Sequence, residues 1–355
     1  MRPRGGFMVD DDLLVNEFTY NGFKDAIRLG YSLDDAFLRE IKIPVHDLAR
    51  HTLIVGSTGS GKTTTAAVLA SQLVNYGSIL IIDWNDEYFQ LLNNLGVNGG
   101  LVVNDNVRLP GTLGDWEDFI TILDDVLELT DAQAYLLYKL HDEFGKLDEL
   151  SVGDLITLLE SMQPESKWML ETKASLLRKL KMLYNVKTRH LYNVDKTLMN
   201  DPLLIERKIN IISLRDLRDL KIKRLAALTL VCFIEKIKKL KTLGNVYIVI
   251  DEAHNVIDSN LLNRLIAEVR KLGIGFILVT QSPAVINNSI LSNCNVRIFH
   301  SLKSYADIDI AVKSLGVNEL RDVLPRLGVG EAVIDAPSFN GAVRVKICAK
   351  QYPVT

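Results

Sequence analysis

One short stretch carries the residue types that bind a nucleoside triphosphate. Three glycines are interleaved with hydroxyl residues and are followed by Lys62 and Thr63. Such glycines let successive backbone N–H groups turn inward around phosphate oxygens. The lysine then reaches the β- and γ-phosphates, and the threonine hydroxyl meets Mg²⁺. The pattern predicts a P-loop whose nucleotide-binding residues are Gly56, Ser57, Thr58, Gly59, Ser60, Gly61, Lys62, Thr63 and Thr64.

An acidic pair follows a second apolar run. Residues 246–250 are apolar and lead directly to Asp251 and Glu252. In such a Walker B arrangement, Asp251 would hold Mg²⁺ together with Thr63. Glu252 would orient and deprotonate the attacking water. A protein that only binds nucleotide does not need this second carboxylate. The pair therefore predicts an ATPase that uses ATP and Mg²⁺, with Lys62 and Glu252 as catalytic residues.

Further polar residues stand where other apolar runs end. Asp83 ends the run at residues 78–83 and is followed by Glu87, while Gln281 ends the run at residues 275–281. Ligands in open α/β sheets sit beyond the carboxyl ends of the strands. Gln281 could therefore sense the γ-phosphate or position water. Asp83 and Glu87 have two open interpretations, since they could hold water or Mg²⁺ or simply shape their loop.

The elements that position these residues are predicted to form an α/β protein with a mainly parallel sheet. Continuous apolar runs are typical of strands buried on both faces of a parallel sheet. We predict such strands at residues 53–55, 78–83, 209–212, 246–250, 275–281 and 296–299. Helices are predicted at residues 64–76, stopped by Gly77, and at residues 259–272, with Gly273 as the C-cap. Shorter strands are expected near residues 27–29 and 41–45, and a final β pair within residues 324–347.

Helical spacing dominates one internal segment. Apolar residues recur at helical intervals between residues 115 and 200, which predicts an insertion of about four helices. We therefore divide the chain into an N-terminal extension (1–48), the first part of an ATPase core (49–114), a helical-bundle insertion (115–200) and the second part of the core (201–355). Basic residues near the end of the insertion, including Arg178, Lys179 and Lys181, form either a solvated face or a surface for nucleic acid or a partner.

Composition limits the remaining classes. The 355-residue chain has a net charge of −3, so any contact with nucleic acid must come from local loops. The three cysteines, Cys232, Cys294 and Cys348, are far apart in sequence, which predicts buried thiols in a reducing compartment. The N-terminus has no signal-peptide pattern, and no apolar run is long enough to span a bilayer. We therefore expect a cytoplasmic protein without a membrane span.

Taken together, these motifs resemble the HerA and FtsK superfamily of P-loop ATPases, on the HerA side. They are, in chain order, Arg50-His51, the P-loop, Asp83 with Glu87-Tyr88, Ile250-Asp251-Glu252-Ala253-His254, Arg270-Lys271-Leu272-Gly273, Val279-Thr280-Gln281-Ser282-Pro283 and Gly330-Glu331-Ala332. The resemblance covers about residues 27–350, and the helical segment falls where the family carries an insertion. It implies a RecA-like core in a hexameric ring, with ATP between subunits and double-stranded DNA in the central pore.

The resemblance also implies roles for individual residues. Arg270 would be an arginine finger offered to the ATP of the neighbouring subunit, and Gln281 the sensor. Arg50 would contact phosphate in its own subunit. For Arg264 we expect only a surface ion pair or a helix-dipole contact. Loops facing the pore would grip DNA phosphates, and residues 85–106 and 283–293 are candidates because they follow strand ends.

Several functions remain open at this point. The main hypothesis is an ATP-driven, ring-shaped DNA translocase or helicase of the DNA-repair type, with a nuclease as a candidate partner. Longer members of the family carry an N-terminal β-barrel that docks a nuclease, whereas about 48 residues precede the core here. A conjugation or viral-packaging ATPase with the same core is the first alternative. The second is a nucleotide-dependent switch that moves nothing, and a small-molecule kinase comes last.

Overall fold

A single mixed sheet organises the protein. The computed structural model describes residues 24–34, 39–97, 101–104, 116–144, 152–184, 208–240 and 244–349. Eleven strands lie in the order β2-β1-β11-β10-β9-β3-β8-β7-β4-β6-β5. Their bounds are β1 Ala26–Ser32, β2 Glu40–Pro44, β3 Thr52–Val55, β4 Gly77–Asp83, β5 Leu101–Asn104, β6 Ile209–Ser213, β7 Asn245–Ile250, β8 Ile274–Thr280, β9 Val296–Phe299, β10 Glu331–Asp335 and β11 Val343–Ile347.

Seven neighbouring strands, from β9 to β5, run parallel. The strands β3, β4 and β8 are buried along their whole length because helices cover both faces of the sheet. The helices are α1 Val45–Leu48, α2 Lys62–Leu73, α3 Tyr88–Asn94, α4 Trp116–Leu127, α5 Asp131–Phe144, α6 Val152–Ser161, α7 Lys167–Leu183, α8 Leu220–Leu240, α9 Asn260–Glu268, α10 Asn288–Asn293, α11 Tyr305–Leu315 and α12 Leu320–Val323. The predicted α/β fold with a mainly parallel sheet is confirmed.

Four antiparallel strands extend the sheet on one side. β10 pairs with β9 and β11, and β1 then joins β11 to β2. The predicted strands near the N-terminus are therefore part of the main sheet, paired with the end of the chain. Gln72 of α2 fixes β1 to the core, since its side-chain amide exchanges hydrogen bonds with the backbone of Arg28 at 2.7 and 3.0 Å.

Between β5 and β6, the residues that the structure describes form four helices, α4 to α7. Their apolar faces join the same hydrophobic cluster as α8, α9 and one face of the sheet, with members such as Leu123, Leu176, Leu228 and Ile248. The helical segment is thus packed onto the core. Two of its basic side chains are engaged within the protein, because Lys179 donates to the Glu128 carbonyl oxygen and Lys181 forms an ion pair. The four-part division of the chain itself stays a prediction.

Some local expectations were wrong. Gly77 does not stop α2, which ends at Leu73; instead it begins β4. The predicted helix over residues 259–272 is α9 followed by a 3₁₀ turn at Val269–Leu272, although Gly273 does form the predicted C-cap with φ of 70°. The described part of residues 85–106 contains α3 and β5, and residues 283–293 contain a 3₁₀ turn and α10; that these two segments face a pore stays a prediction.

Candidate nucleotide site

The parallel strands deliver the predicted chemical residues to one edge of the sheet. The P-loop follows β3, Asp83 ends β4, Asp251 and Glu252 follow β7, and Gln281 follows β8. These four strands are neighbours in the order β3-β8-β7-β4. Their carboxyl ends therefore meet, as expected for a ligand site in an open α/β sheet.

The P-loop turns sharply from β3 into α2. Gly61 has φ of 109°, a conformation that favours glycine, and it forms the N-cap of α2. Lys62 is buried, and its Nζ atom donates to the carbonyl oxygen of Ser57 at 3.0 Å, across the mouth of the loop. Thr63 is half-buried beside it at the start of the helix. This geometry leaves the N–H groups of the first turn of α2 without partners inside the helix, as anion-binding helix ends require.

Side-chain hydrogen bonds join three of the predicted residues. The amide nitrogen of Gln281 donates to both carboxylate oxygens of Glu252, at 3.1 and 3.2 Å. The amide oxygen of Gln281 accepts from the Thr58 hydroxyl at 3.2 Å. On its other side, Glu252 lies 3.2 Å from Nδ1 of His254. Gln281 therefore bridges the P-loop and the Walker B carboxylate.

The backbone of Glu252 is unusual. Its φ and ψ of 45° each are left-handed, a conformation that costs a non-glycine residue about 1 kcal/mol or more. The turn directs the Glu252 side chain, which immediately follows the buried Asp251, into the contacts with Gln281 and His254. Backbone strain of this kind is often concentrated at functional sites.

Negative charge is concentrated around Lys62. Burial, together with the neighbouring carboxylates of Glu252, Asp83 and Glu87, raises the pKa of Asp251 to about 7. Burial lowers the pKa of Lys62, while Glu252, Asp251 and Glu87 oppose that shift. A divalent cation would neutralise this excess of carboxylate, and its preferred ligands are oxygens of the kind that Asp251 and Thr63 offer. The residues at this edge therefore fit Mg²⁺.

Asp83 shapes its loop. The side chain is fully buried, its Oδ1 atom accepts from the N–H groups of Asn85 and Asp86, and its Oδ2 atom accepts from that of Tyr88. These bonds occupy both oxygens, which favours the loop-shaping interpretation over the metal-binding one. Glu87 is exposed on the same loop, and its negative charge acts to raise the pKa of Lys62.

Arg270 lies at the other edge of the sheet. It is exposed on the 3₁₀ turn that precedes β8, whereas Gln281 follows the end of β8. At about 3.3 Å per residue, this seven-residue strand separates the two by about 23 Å. Arg270 therefore does not reach the P-loop of its own subunit.

Arg50 lies at this same far edge, contrary to the expected contact with phosphate in its own subunit. It precedes β3, and the strand places about 13 Å between Arg50 and the P-loop. The backbone N–H and carbonyl of Arg50 bond with Asp47 and Asn295 at that end. The resemblance implied this contact, but the six positions from Arg50 to Gly56 include the extended strand β3, which holds Arg50 away from the P-loop.

Arg264 makes the surface ion pairs that were expected. It contacts Asp118 of α4 and, at 3.4 Å, Glu268. Asp118 also lies close to Cys232 and Glu235, and their ligand atoms all fall within 4.8 Å of one another. Burial raises the pKa of the Cys232 thiol, and Lys239 pairs with Glu235 at 2.7 Å. Arg264 and Lys239 balance the negative charge of Asp118 and Glu235. This cluster connects α4, α8 and α9.

The sheet and this site define an α/β P-loop ATPase fold of the RecA type. The chain belongs to the family described as "Helicase HerA, central domain", whose model matches residues 27–231. A second model, "TraM recognition site of TraD and TraG", matches residues 245–322. Within the described ranges, no helix combines the length and apolar composition needed to cross a bilayer.

Two archaeal relatives bear the name DNA double-strand break repair helicase HerA. The protein from Sulfurisphaera tokodaii is 28% identical over 330 residues, which cover 83% of this chain and 64% of that protein. The protein from Saccharolobus solfataricus is 26% identical over 354 residues, which cover 92% of this chain and 68% of that protein. The chain thus spans slightly less than two thirds of the first of these relatives.

Solved structures share the fold at low identity. VirB4 of Thermoanaerobacter pseudethanolicus superimposes with a TM-score of 0.72 at 16% identity, covering 93% of this chain and 97% of that one. The plasmid coupling protein TrwB, in complex with the ATP analogue ADPNP, gives a TM-score of 0.64 at 15% identity, covering 95% of this chain and 97% of that one. These similarities establish a common architecture.

Proposed function

We propose that this protein is an ATP-hydrolysing motor that works as a hexameric ring on double-stranded DNA. The observation that carries the proposal is the division of the site between two edges of one sheet. The P-loop, Asp251, Glu252 and Gln281 meet at the carboxyl edge, whereas Arg270 is exposed at the amino edge. A head-to-tail neighbour would bring the two edges together, and such contacts form a ring when the rotation between subunits closes.

Within one subunit, Lys62 and the first turn of α2 bind the phosphates of ATP. Thr63 and Asp251 would hold Mg²⁺, which supplies positive charge to the β- and γ-phosphate oxygens. Glu252 orients the attacking water and takes its proton. Gln281, held between Thr58 and Glu252, exchanges these contacts for the γ-phosphate and so reports whether it is present.

Arg270 of one subunit completes the site of the next. An arginine finger stabilises charge in the transition state of phosphoryl transfer and contributes about 10³- to 10⁵-fold in rate. Arg50 shares the amino edge with Arg270, and we now assign it to the neighbour's nucleotide as well. Hydrolysis would then depend on assembly, because the finger cannot reach its own site.

The DNA substrate is proposed from the family and from the names of the relatives. Binding through phosphates would be independent of sequence and weakened by salt. A nuclease partner and a role in DNA repair are further parts of this proposal. We propose the cytoplasm as the location, consistent with the buried cysteines Cys232 and Cys294, neither of which forms a disulfide.

A conjugation ATPase is the second candidate. It is favoured by the match of residues 245–322 to the TraD and TraG model and by the fold shared with VirB4 and TrwB. The site residues would keep the same roles, and the difference would lie in the partners. A slow nucleotide switch is the third candidate, and DNA-independent hydrolysis would favour it.

Mixing two inactive variants tests the motor. Arg270→Ala removes the finger and Glu252→Gln removes the base, so each alone should abolish most hydrolysis. In randomly mixed head-to-tail rings at equal amounts, about one quarter of the interfaces combine an intact base with an intact finger. We therefore expect about one quarter of the wild-type rate, increased by duplex DNA. Lys271→Ala, at the exposed neighbour of Arg270, is the matched control and should stay active.

Two results would count against the motor. If mixtures of the two variants stay inactive at every protein concentration while each still binds nucleotide, Arg270 does not act in trans. If the wild-type rate is independent of both duplex DNA and protein concentration, the switch is the better interpretation.

A further inference from the structure

A buried histidine behind the P-loop has no part in the mechanism above. His300 follows β9, its side chain is fully buried, and its backbone N–H donates to the Val55 carbonyl oxygen at 2.7 Å. Nδ1 lies 2.9 Å from the carbonyl oxygen of Glu331, and Nε2 lies 2.9 Å from the hydroxyl of Thr65. The imidazole therefore connects the first turns of α2 with the start of β10.

The partners fix the direction of these bonds. A carbonyl oxygen only accepts, so Nδ1 carries the proton and donates to Glu331. Burial lowers the pKa of His300 to about 4, with Lys62 contributing in the same direction, so Nε2 is an unprotonated acceptor at neutral pH. The Thr65 hydroxyl then donates to Nε2. The same hydroxyl also lies 3.1 Å from the Gly61 carbonyl oxygen, which keeps the Thr65 N–H as a donor at 2.9 Å when the hydroxyl donates to Nε2.

The P-loop packs directly on this arrangement. A Cβ atom on Gly56 would lie 2.6 Å from Cβ of His300, closer than two carbon atoms can approach. A Cβ atom on Gly61 would lie 3.1 Å from the backbone nitrogen of Gly330. That Gly330 N–H donates to the carbonyl oxygen of Ser60 at 2.9 Å. The loop is thus held between the imidazole ring and the turn formed by residues 328–331.

The turn at residues 328–331 leads into the antiparallel strands. The Gly330 carbonyl oxygen accepts from the Ile347 N–H at 2.8 Å, and Lys346 donates to the Val329 carbonyl oxygen at 2.8 Å. β11, which contains both donors, pairs with β1 and β10. A shift of the P-loop would therefore act on the part of the sheet that joins the two ends of the described chain.

We propose that His300 is a positioning residue that holds the P-loop in its phosphate-binding shape and couples nucleotide binding to the turn at residues 328–331. The proposal rests on the proposed nucleotide site and does not depend on DNA translocation. The coupling runs from Thr65 through the imidazole to the Glu331 carbonyl. Binding of phosphate beside the first turn of α2 should therefore alter the protection of backbone amides in the turn and in β10.

Isosteric removal of the Thr65 hydroxyl tests this coupling. Thr65→Val leaves Nε2 of His300 buried without a donor. An unsatisfied buried group of this kind should lower the affinity for a fluorescent ADP analogue by about tenfold. Thr65→Ser keeps the hydroxyl and should restore most of the affinity. Thr52→Val is the matched control, since that β3 hydroxyl is equally buried and has no hydrogen-bond partner among the residues that the structure describes. Nucleotide affinity should not change.

A double-mutant cycle separates positioning from general destabilisation. His300→Asn keeps an amide near the Nδ1 position and loses the contact with Thr65. If the two residues act through one bond, Thr65→Val should add little to His300→Asn in nucleotide affinity. Hydrogen–deuterium exchange should show protection of residues 328–333 on ADP binding in the wild type and a reduced response in Thr65→Val.

The outcomes are distinguishable. Failure of the wild type to bind nucleotide would refute the proposed function itself. With nucleotide binding intact, the role of His300 would be refuted by fully additive effects in the cycle. It would also be refuted by an unchanged exchange pattern at residues 328–333, or by a Thr65→Val variant that loses thermal stability but keeps wild-type affinity.

Discussion

Replacing Asp83 by asparagine tests whether this carboxylate builds the loop between β4 and α3. Its Oδ1 atom accepts from the N–H groups of Asn85 and Asp86 at 3.2 and 2.8 Å, and its Oδ2 atom accepts from the N–H of Tyr88 at 2.9 Å. Asparagine has the same shape but exchanges one of these oxygens for an NH₂ group. At least one buried backbone donor would then face another donor.

The expected magnitude follows from these contacts. A hydrogen bond to a charged group contributes about 1.5–3 kcal/mol, and a buried donor left unpaired costs about 1–3 kcal/mol. We therefore expect Asp83→Asn to lower the free energy of unfolding by about 3 kcal/mol. An unfolding entropy of about 2.1 cal/mol/K per residue gives about 0.75 kcal/mol/K for 355 residues. The Tm measured by differential scanning calorimetry should then fall by about 4 °C.

Asp86→Asn is the matched control. Asp86 forms an ion pair with the exposed Arg215 at 3.2 Å, and such pairs contribute at most about 1 kcal/mol. Its φ of 65° is a conformation that asparagine tolerates well. Its Tm should change by less than about 1 °C. A Tm that is equally unaffected in Asp83→Asn, together with a raised Mg²⁺ requirement for nucleotide binding, would refute the loop-building role and favour a metal ligand.

Two further predictions concern packing and pH. Gly77→Ala would place a Cβ atom 2.3 Å from the Asn245 carbonyl oxygen, so we expect thermal melting to show a loss of about 2–4 kcal/mol. Gly244→Ala is the control and should leave Tm unchanged, because a Cβ atom there meets no atom of the described residues within 4 Å. Because the folded-state pKa of His300 is lowered to about 4, its contribution to stability is present above pH 6.5 and is lost as the pH falls toward 4. The free energies of unfolding of the wild type and His300→Gln, measured by denaturant titration, should therefore converge by up to about 3 kcal/mol over that range. The raised pKa of Asp251 acts with the opposite sign, but Asp251 is common to both proteins and cancels from the difference. Parallel pH profiles would contradict the assignment of His300 as a buried neutral group.

The P-loop and the Asp251–Glu252 pair could be predicted because their chemistry is encoded in adjacent residues. Gln281 was predicted for a related reason, since polar residues that end buried parallel strands must meet at one edge of the sheet. The hydrogen bonds from Gln281 to Glu252 and Thr58 could not be predicted, because they require β3, β7 and β8 to be neighbours. His300 also ends a strand, so the same signal could have identified it.

Distance along a strand explains where the two predicted arginines lie. Arg50 and the P-loop are close in sequence, yet β3 holds them at opposite edges of the sheet. The same geometry separates Arg270 from Gln281 across β8. A motif does not show the path of the chain, because the number of residues between two side chains does not say whether the chain turns back or runs straight between them.

The kind of chemistry can be deduced from the residues alone: a phosphate-binding glycine loop, a carboxylate pair after an apolar strand, and parallel strands rich in apolar residues. These features depend on local backbone freedom, charge and hydrophobic pattern. Which groups share a site depends on how the strands are ordered in the fold. In the folded protein, residues 328–331 and His300 pack against the P-loop, and both Arg50 and Arg270 lie at the far edge of the sheet. The Asp83 carboxylate accepts backbone hydrogen bonds. Strand order and pairing are properties of the whole chain, and they set these distances.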